Sequence, residues 1–515
     1  MTRTEVGAAV ENVLAVSRSE FQAEVEKDAE VIKSELTEGT FDNPQGLVGL
    51  EYEFYATADG TGDRSGEGAD TRRRTLRRIP RRTLSFVGFE KELGLHNAEM
   101  STTPQPLNEH GLEAQQAEIK SRLAAAREPI HANDMRLVSD GLWTIPPSGE
   151  TAREYLTDAI DDDGLTIATN MSDSVRYHAM GNTETPTSGR LDAPHVSLET
   201  DTIMPESLTT SIQPHYQVPR AEALPSYFRY AIRLAGPLLA LGVNSPFFPP
   251  SCYDDVPAER VVDDAWMGNR IRVFETSLNT DEIRKVRFPE EFETVEEAID
   301  EIAADETMVP MPVERGERFD DEFAYFRRKH GTYWRWVRPV FGGATRSSAN
   351  ARIEFRPLPA QPTLRDAIAF QTVFAGALEH LHSSQHPVRR LEWDTAETNF
   401  YAAMRHGLDA DLTWMTVDGR ITTDPAVIYE ELFSAAASGL QAQGLQDEQI
   451  QQYISPLRDR VRTRTTPAQW KHRVVADRVS DGAGLEDAIF DAQRAYLDRQ
   501  ADTFLSGQLT DWEFP

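Results

Sequence analysis

The segment GLVGLEYEFYA, residues 46 to 56, constrains this chain more than any other. It alternates, with Leu50, Tyr52 and Phe54 on one face and Glu51, Glu53 and Tyr55 on the other, which is the period of a strand that buries one side and wets the other. Later segments repeat the pattern. In SIQPHYQVP, Gln213, His215 and Gln217 share a face, and in ARIEFRPLP, Glu354 and Arg356 do. Strands with a polar face belong in an antiparallel sheet, because parallel strands are covered on both sides and read as continuous apolar runs. Helical segments are mixed with these strands without strictly alternating, so the pattern predicts an α+β fold rather than a doubly wound one.

Helical spacing predicts one N-terminal helix over about residues 5 to 37, with Val10, Val13, Leu14 and Phe21 on one side and Gly39 closing it. It also predicts helices near 110 to 128, 224 to 243 and 364 to 382, and an acidic, solvated helix within 289 to 306. A strand is expected at 269 to 276, and short strands with long loops across 139 to 220. From about 396 the pattern is almost entirely helical, with breaks near 407 to 411 and 480 to 484. The division this suggests is a helical segment over 1–45, a sheet-bearing domain over 46–390 and a helical region over 391–515 packed on it. Residues 57 to 70 read as a mobile loop, followed by Arg72, Arg73, Arg74, Arg77, Arg78, Arg81 and Arg82. That cluster reads either as pairing with acidic surface or an adjacent subunit, or as an electropositive lip for anionic ligands.

With Cys252 as the only cysteine in 515 residues, an internal disulfide framework and a cysteine-based metal site are excluded, which fits a reducing cytosol. Acidic residues number 84 against 53 basic ones, a formal charge of -31, and only seven of the basic residues are lysine. So acidic and lysine-poor a surface is expected in a high-salt, halophilic cytoplasm, where repulsion is screened, and it speaks against binding to nucleic acid. The N-terminal residues carry charges throughout with no signal-type apolar run, and the most apolar stretch, 230 to 248, is broken by Arg233, Pro237 and Pro246. Small-molecule partners in the cytoplasm, with no membrane, are expected; assembly as a homo-oligomer stays open. No Walker-type or dinucleotide-binding glycine motif is present, so a nucleotide would be held in another way.

Glu51 and Glu53 leave the same face of a strand roughly 6.6 Å apart, a separation at which two carboxylates can grip neighbouring hard cations. KELGLHNAEMSTTP adds Glu92, Asn97 and Glu99 before a Thr-Pro break. Taken singly, each has a plainer reading. An exposed E-x-E strand is what a solvated sheet edge shows, and a lone His215 is a structural hydrogen-bonding residue. His380, His382 and His386, at the end of a helix, read as surface residues.

The set in series is more specific. GLEYEF resembles the opening E-x-E strand of the glutamate-cysteine ligase superfamily, and NAEMSTTP its second acidic element. SIQPHYQVP is similar to the Gln-containing strand of plant and actinobacterial members, LALGVNSPFF to their buried helix and loop, and RIRVFE to their arginine strand. IEFRPLPAQPTLRDAIAF resembles the late Ile-Glu-x-Arg strand with its helix, and NFYAAMRHGLDADL the helix that follows, so the matches run in order from about 46 to 475.

The resemblance implies a glutamine-synthetase-like fold, a curved antiparallel sheet forming a funnel with magnesium and ATP at one end and the amino acid at the other. It implies that ATP phosphorylates a glutamate γ-carboxylate and that an amine, cysteine as first choice, displaces phosphate. Carried over position by position, it implies Glu51, Glu53, Glu92, Glu99 and Glu354 as ligands of Mg2+ or Mn2+. It puts Gln213 where many relatives have a histidine ligand, and Arg272 and Arg356 near phosphate or substrate carboxylate. Arg176 and Tyr177, in MSDSVRYHAM, correspond to a substrate-side pair or else to a structural pair beneath a loop. His215 is a candidate base by residue type alone. Another amine acceptor, a non-catalytic regulator binding nucleotide or glutamate, and a structural protein with solvating strands stay open; retention of the core glutamates argues against the regulator.

Overall fold

The computed structural model of the chain describes residues 3–58, 74–79, 84–183, 189–280 and 282–513. Eight strands form its main sheet: β1 (Leu47–Ala58), β2 (Glu90–Lys91), β3 (Asn97–Ser101), β4 (Gln105–Pro106), β5 (Met135–Val138), β6 (Ile212–Gln217), β7 (Val337–Gly342) and β8 (Asn350–Phe355). Their order is β7-β8-β6-β1-β3-β2, with β4 and β5 pairing with the two ends of β1. Every pairing is antiparallel, and the sheet curls into a half-barrel among helices, so the fold is α+β as the alternating strands require.

The apolar face of β1 explains its central place. Leu50, Tyr52 and Phe54 are all buried, Tyr52 and Phe54 stacking at 4.4 Å between ring centroids. The helix Leu364–Ser383 lies against β1 and β6, and the helices Pro425–Ala442 and Asp447–Thr463 pack on it in turn. The helix Leu224–Gly242 packs on β7 and β8 and is almost wholly buried; its Arg233 is buried and pairs with Glu291. No helix among the described residues is long and apolar enough to cross a membrane.

Several expectations need correction. The N-terminal segment is two helices, Arg3–Leu14 and Arg18–Thr37, because the Ser17 hydroxyl accepts from the Glu20 amide and starts a second helix. The acidic segment does contain a helix, Val295–Ala304, but it is not merely solvated: Val295, Ala298, Ile299 and Ile302 are buried, and it packs against the helix Arg18–Thr37. Residues 269 to 276 are not a strand. They form the helix Asn269–Leu278, in which Arg270, Val273 and Ser277 share the buried side; a short apolar run fits either period.

Of the expected mobile loop, residues 57 and 58 belong to β1 and the remainder lies outside the described residues, as do Arg72, Arg73, Arg81 and Arg82. Arg74 pairs with Asp498 at 2.6 Å and Arg78 with Glu150 at 3.0 Å, which agrees with the pairing reading for those two. His382 stacks on Tyr227 at 4.0 Å, and the His386 ring accepts from the Val388 amide, so both serve the fold.

Candidate active site

Strand register assembles the acidic groups. Glu53 lies opposite Glu99 across the β1–β3 ladder, Glu51 opposite Gln213 across β1–β6, and His215 opposite Glu354 across β6–β8. Directly opposed residues hold their Cβ atoms about 5 Å apart, so the polar faces of four strands meet. Glu51, His215 and Glu354 each turn one donor atom to a common point, all three atoms lying within 4.8 Å of one another. His215 Nε2 stands 3.2 Å from Glu51 Oε1, while its Nδ1 faces Arg352 Nε at 3.4 Å. The imidazole therefore joins the side chains that could hold a cation, a place sequence reasoning had not given it.

Arginines hold this group from behind. Glu354, only 2% exposed, accepts from Arg338 Nε at 2.8 Å and from Arg356 Nη1. Burial pushes the Glu354 carboxyl up, but Arg338, Arg356 and His215 outweigh it and hold it well below the usual carboxylate range. Burial raises Glu51 too, and His215 and Arg356 overcome it. Gln213 is held at both ends of its amide. Its Oε1 accepts from Arg356 Nη1 at 2.7 Å and its Nε2 donates to Glu53 Oε1 at 3.0 Å, which leaves the second lone pair of the carbonyl oxygen for another partner. Gln213 thus orients Arg356 and Glu53.

Arg272 stands apart. Its Nε donates to the Asp192 carbonyl at 2.7 Å and its Nη2 meets Asp192 Oδ2 at 3.2 Å. Because the segment is a helix, Arg270 takes the inward position instead, buried over the rings of Phe274 and Trp336 and donating to the Arg356 carbonyl at 2.9 Å. Burial lowers the Arg270 guanidinium to about 10. Arg270 and Arg338 were missed by sequence reading. Arg270 lies two residues from Arg272, and a helical period would have found it; Arg338 carries no local signal.

Beyond β3 the site continues to Glu92, Arg176 and Tyr177. The Tyr177 hydroxyl donates to Glu92 at 3.3 Å and Arg176 Nη2 donates to that hydroxyl at 3.1 Å, so the pair predicted together is found together and facing the acidic group. Burial and then Glu53 push Glu92 up to about 7, while burial and then Glu51, Glu92 and Glu53 raise Glu99 well above the ordinary value. Carboxylates crowded in this way cannot all ionise without added positive charge. A donor set of carboxylate oxygens with one imidazole fits a hard divalent cation such as magnesium or manganese.

The model of glutamate-cysteine ligase family 2 matches residues 47–489. The match begins at β1 and takes in every strand of the main sheet. Glutamate-cysteine ligase from Francisella tularensis, solved in complex with AMP, is similar in structure at 12% identity, covering 90% of this chain and 91% of that one with a TM-score of 0.51. A bifunctional glutathione synthetase from Pasteurella multocida is 13% identical, with coverages of 92% and 55% and a TM-score of 0.49. The prokaryotic ubiquitin-like protein ligase PafA complex is 10% identical, with coverages of 88% and 74% and a TM-score of 0.43. No curated protein matches the sequence. At 12% identity the Francisella tularensis structure speaks to the fold alone, and the family rests on the match across 47–489: the chain belongs to glutamate-cysteine ligase family 2 and is a ligase of the carboxylate-amine class.

Proposed function

We propose that the chain is an ATP- and magnesium-dependent ligase that joins the γ-carboxylate of glutamate to an amine, with cysteine as the acceptor. The observation that carries this reading is the convergence of Glu51, His215 and Glu354 within 4.8 Å, backed by Arg356 and Arg338, in a chain of this family. Glu51, Glu53, Glu92, Glu99, His215 and Glu354 would hold the divalent cation, which when bound neutralises charge on the transferring phosphoryl group. No protein nucleophile is required, since the glutamate carboxylate itself attacks ATP and the resulting acyl phosphate is opened by the amine.

Arg356 is the residue with most to do. Burial lowers it, but Glu354, Glu51 and Glu53 outweigh that and keep its guanidinium charged. Its bonds to Gln213 and Glu354 fix the plane of the fork, so charge is aimed before the phosphoryl group arrives. Arg356→Lys is expected to lower kcat/KM about 10-fold, because an ammonium cannot serve two acceptors in one plane. Steady-state kinetics on ATP and glutamate will check it, and wild-type kinetics would take Arg356 out of the site. The acidic, lysine-poor composition and single cysteine support a reducing, high-salt cytoplasm as the working environment.

The function is tested by measuring phosphate release with ATP, glutamate and magnesium in concentrated salt, across a panel of amino acids and simple amines. Cysteine should give the largest stimulation, and chelation of magnesium should abolish it. If no amine stimulates phosphate release, the ligase assignment to glutamate is wrong.

A further inference from the structure

Glu206 sits in the short turn Met204–Leu208, which packs against the helix carrying Arg270. Its carboxylate lies within electrostatic reach of Glu92, Arg176, Arg356 and Glu53. Yet its Oε2 is buried and receives no hydrogen bond from any described residue. The neighbouring arginines are turned elsewhere: Arg176 donates to the Gly331 carbonyl and Tyr177, Arg356 to Gln213 and Glu354, and Arg270 to the Arg356 carbonyl. A buried carboxylate oxygen without a donor is unfavourable by itself and becomes favourable when a ligand brings one.

An α-amino acid carries a carboxylate and an ammonium on the same carbon, so a site that reads it needs a cation and an anion side by side. Arg176 and Glu206 are a cation and an anion within electrostatic reach of each other. We infer that Glu206 binds the α-ammonium of the glutamate substrate while Arg176 faces its α-carboxylate, making Glu206 the residue that separates glutamate from dicarboxylates lacking an amino group. The inference rests on glutamate being the substrate that is activated.

Glutarate, which is glutamate without its amino group, is the discriminating probe. The ratio of kcat/KM for glutamate over glutarate, read as ADP formation with a fixed amine, should be at least ~100 in the unaltered enzyme, since an analogue leaves the buried oxygen unpaired. In Glu206→Gln the ratio should fall at least ~10-fold, because a neutral amide loses the charge-assisted bond. Glu206→Asp, which keeps the charge on a shorter arm, should recover part of it. A ratio is insensitive to a smaller folded fraction, so reduced yield of a variant does not mask the result. Equal use of glutarate and glutamate by the unaltered enzyme, or an unchanged ratio in Glu206→Gln, overturns the inference while leaving the ligase reading intact. Absence of glutamate-dependent ADP formation in the unaltered enzyme removes that reading and this inference with it.

Discussion

Glu51→Gln is expected to lower magnesium-dependent ATP turnover by at least ~100-fold, the loss typical when a charge that stabilises phosphoryl transfer is removed from a preorganised site. Glu51 lies on β1, between β6 and β3 in the sheet order. It faces Gln213 across the ladder, approaches His215 Nε2 at 3.2 Å and shares the common point with Glu354. Glutamine keeps its size and leaves a neutral carbonyl, a poorer ligand for magnesium than a carboxylate. The fold should survive, since the residues that anchor β1 are its neighbours Leu50 and Tyr52 on the opposite face. Magnesium should accordingly raise the melting temperature of the unaltered protein and raise that of the variant much less, as binding stabilises only in proportion to affinity. Phosphate release titrated with magnesium, and thermal melts with and without it, test both statements. Undiminished turnover would exclude Glu51 as a ligand.

The parts of this site that sequence alone makes legible are those set by a period of two. Alternation in 46 to 56 is enough to put Glu51 and Glu53 on one face, and the same rule joins Gln213 to His215 and Glu354 to Arg356. Register is another matter. That His215 stands opposite Glu354, joining the candidate ligand group, depends on which residues of β6 and β8 face each other, and nothing local encodes it. Arg272 fails for a different reason: Ile271 and Val273 alternate over too few residues to separate strand from helix, and the helix turns Arg270 inward and Arg272 toward Asp192. The bond that Gln213 accepts from Arg356 was not legible either, because that arginine follows β8, more than a hundred residues later in the chain.

Lys471→Met is expected to destabilise the protein by about 3–5 kcal/mol, the range for breaking a buried ion pair from one side. Lys471, on the helix Pro467–Ser480, pairs with Asp140, whose side chain is wholly buried. Asp140 Oδ2 also accepts from the Tyr55 hydroxyl at 3.1 Å and from Gln493 Nε2 at 2.8 Å, while the Tyr496 hydroxyl donates to the neighbouring Ser139 carbonyl at 3.1 Å. Tyr55 shares its face of β1 with Glu51 and Glu53, so one buried network links the C-terminal helices to the strand that carries two of the acidic groups. Methionine fills most of the lysine volume, leaving loss of charge as the main change. The Asp140 carboxylate is then buried with hydrogen bonds but no counter-ion among the described residues, and removing that charge as well, in Asp140→Asn/Lys471→Met, should restore part of the lost stability. Thermal and denaturant unfolding of both variants in concentrated salt, followed by ATP turnover below the melting point, separates the two roles. Stability equal to that of the unaltered protein in Lys471→Met would show that the helices do not brace β1 through this pair; lowered stability with turnover falling alongside it, and rising again in the double variant, would show that the geometry of Glu51 and Glu53 depends on a contact made by residues more than four hundred positions away.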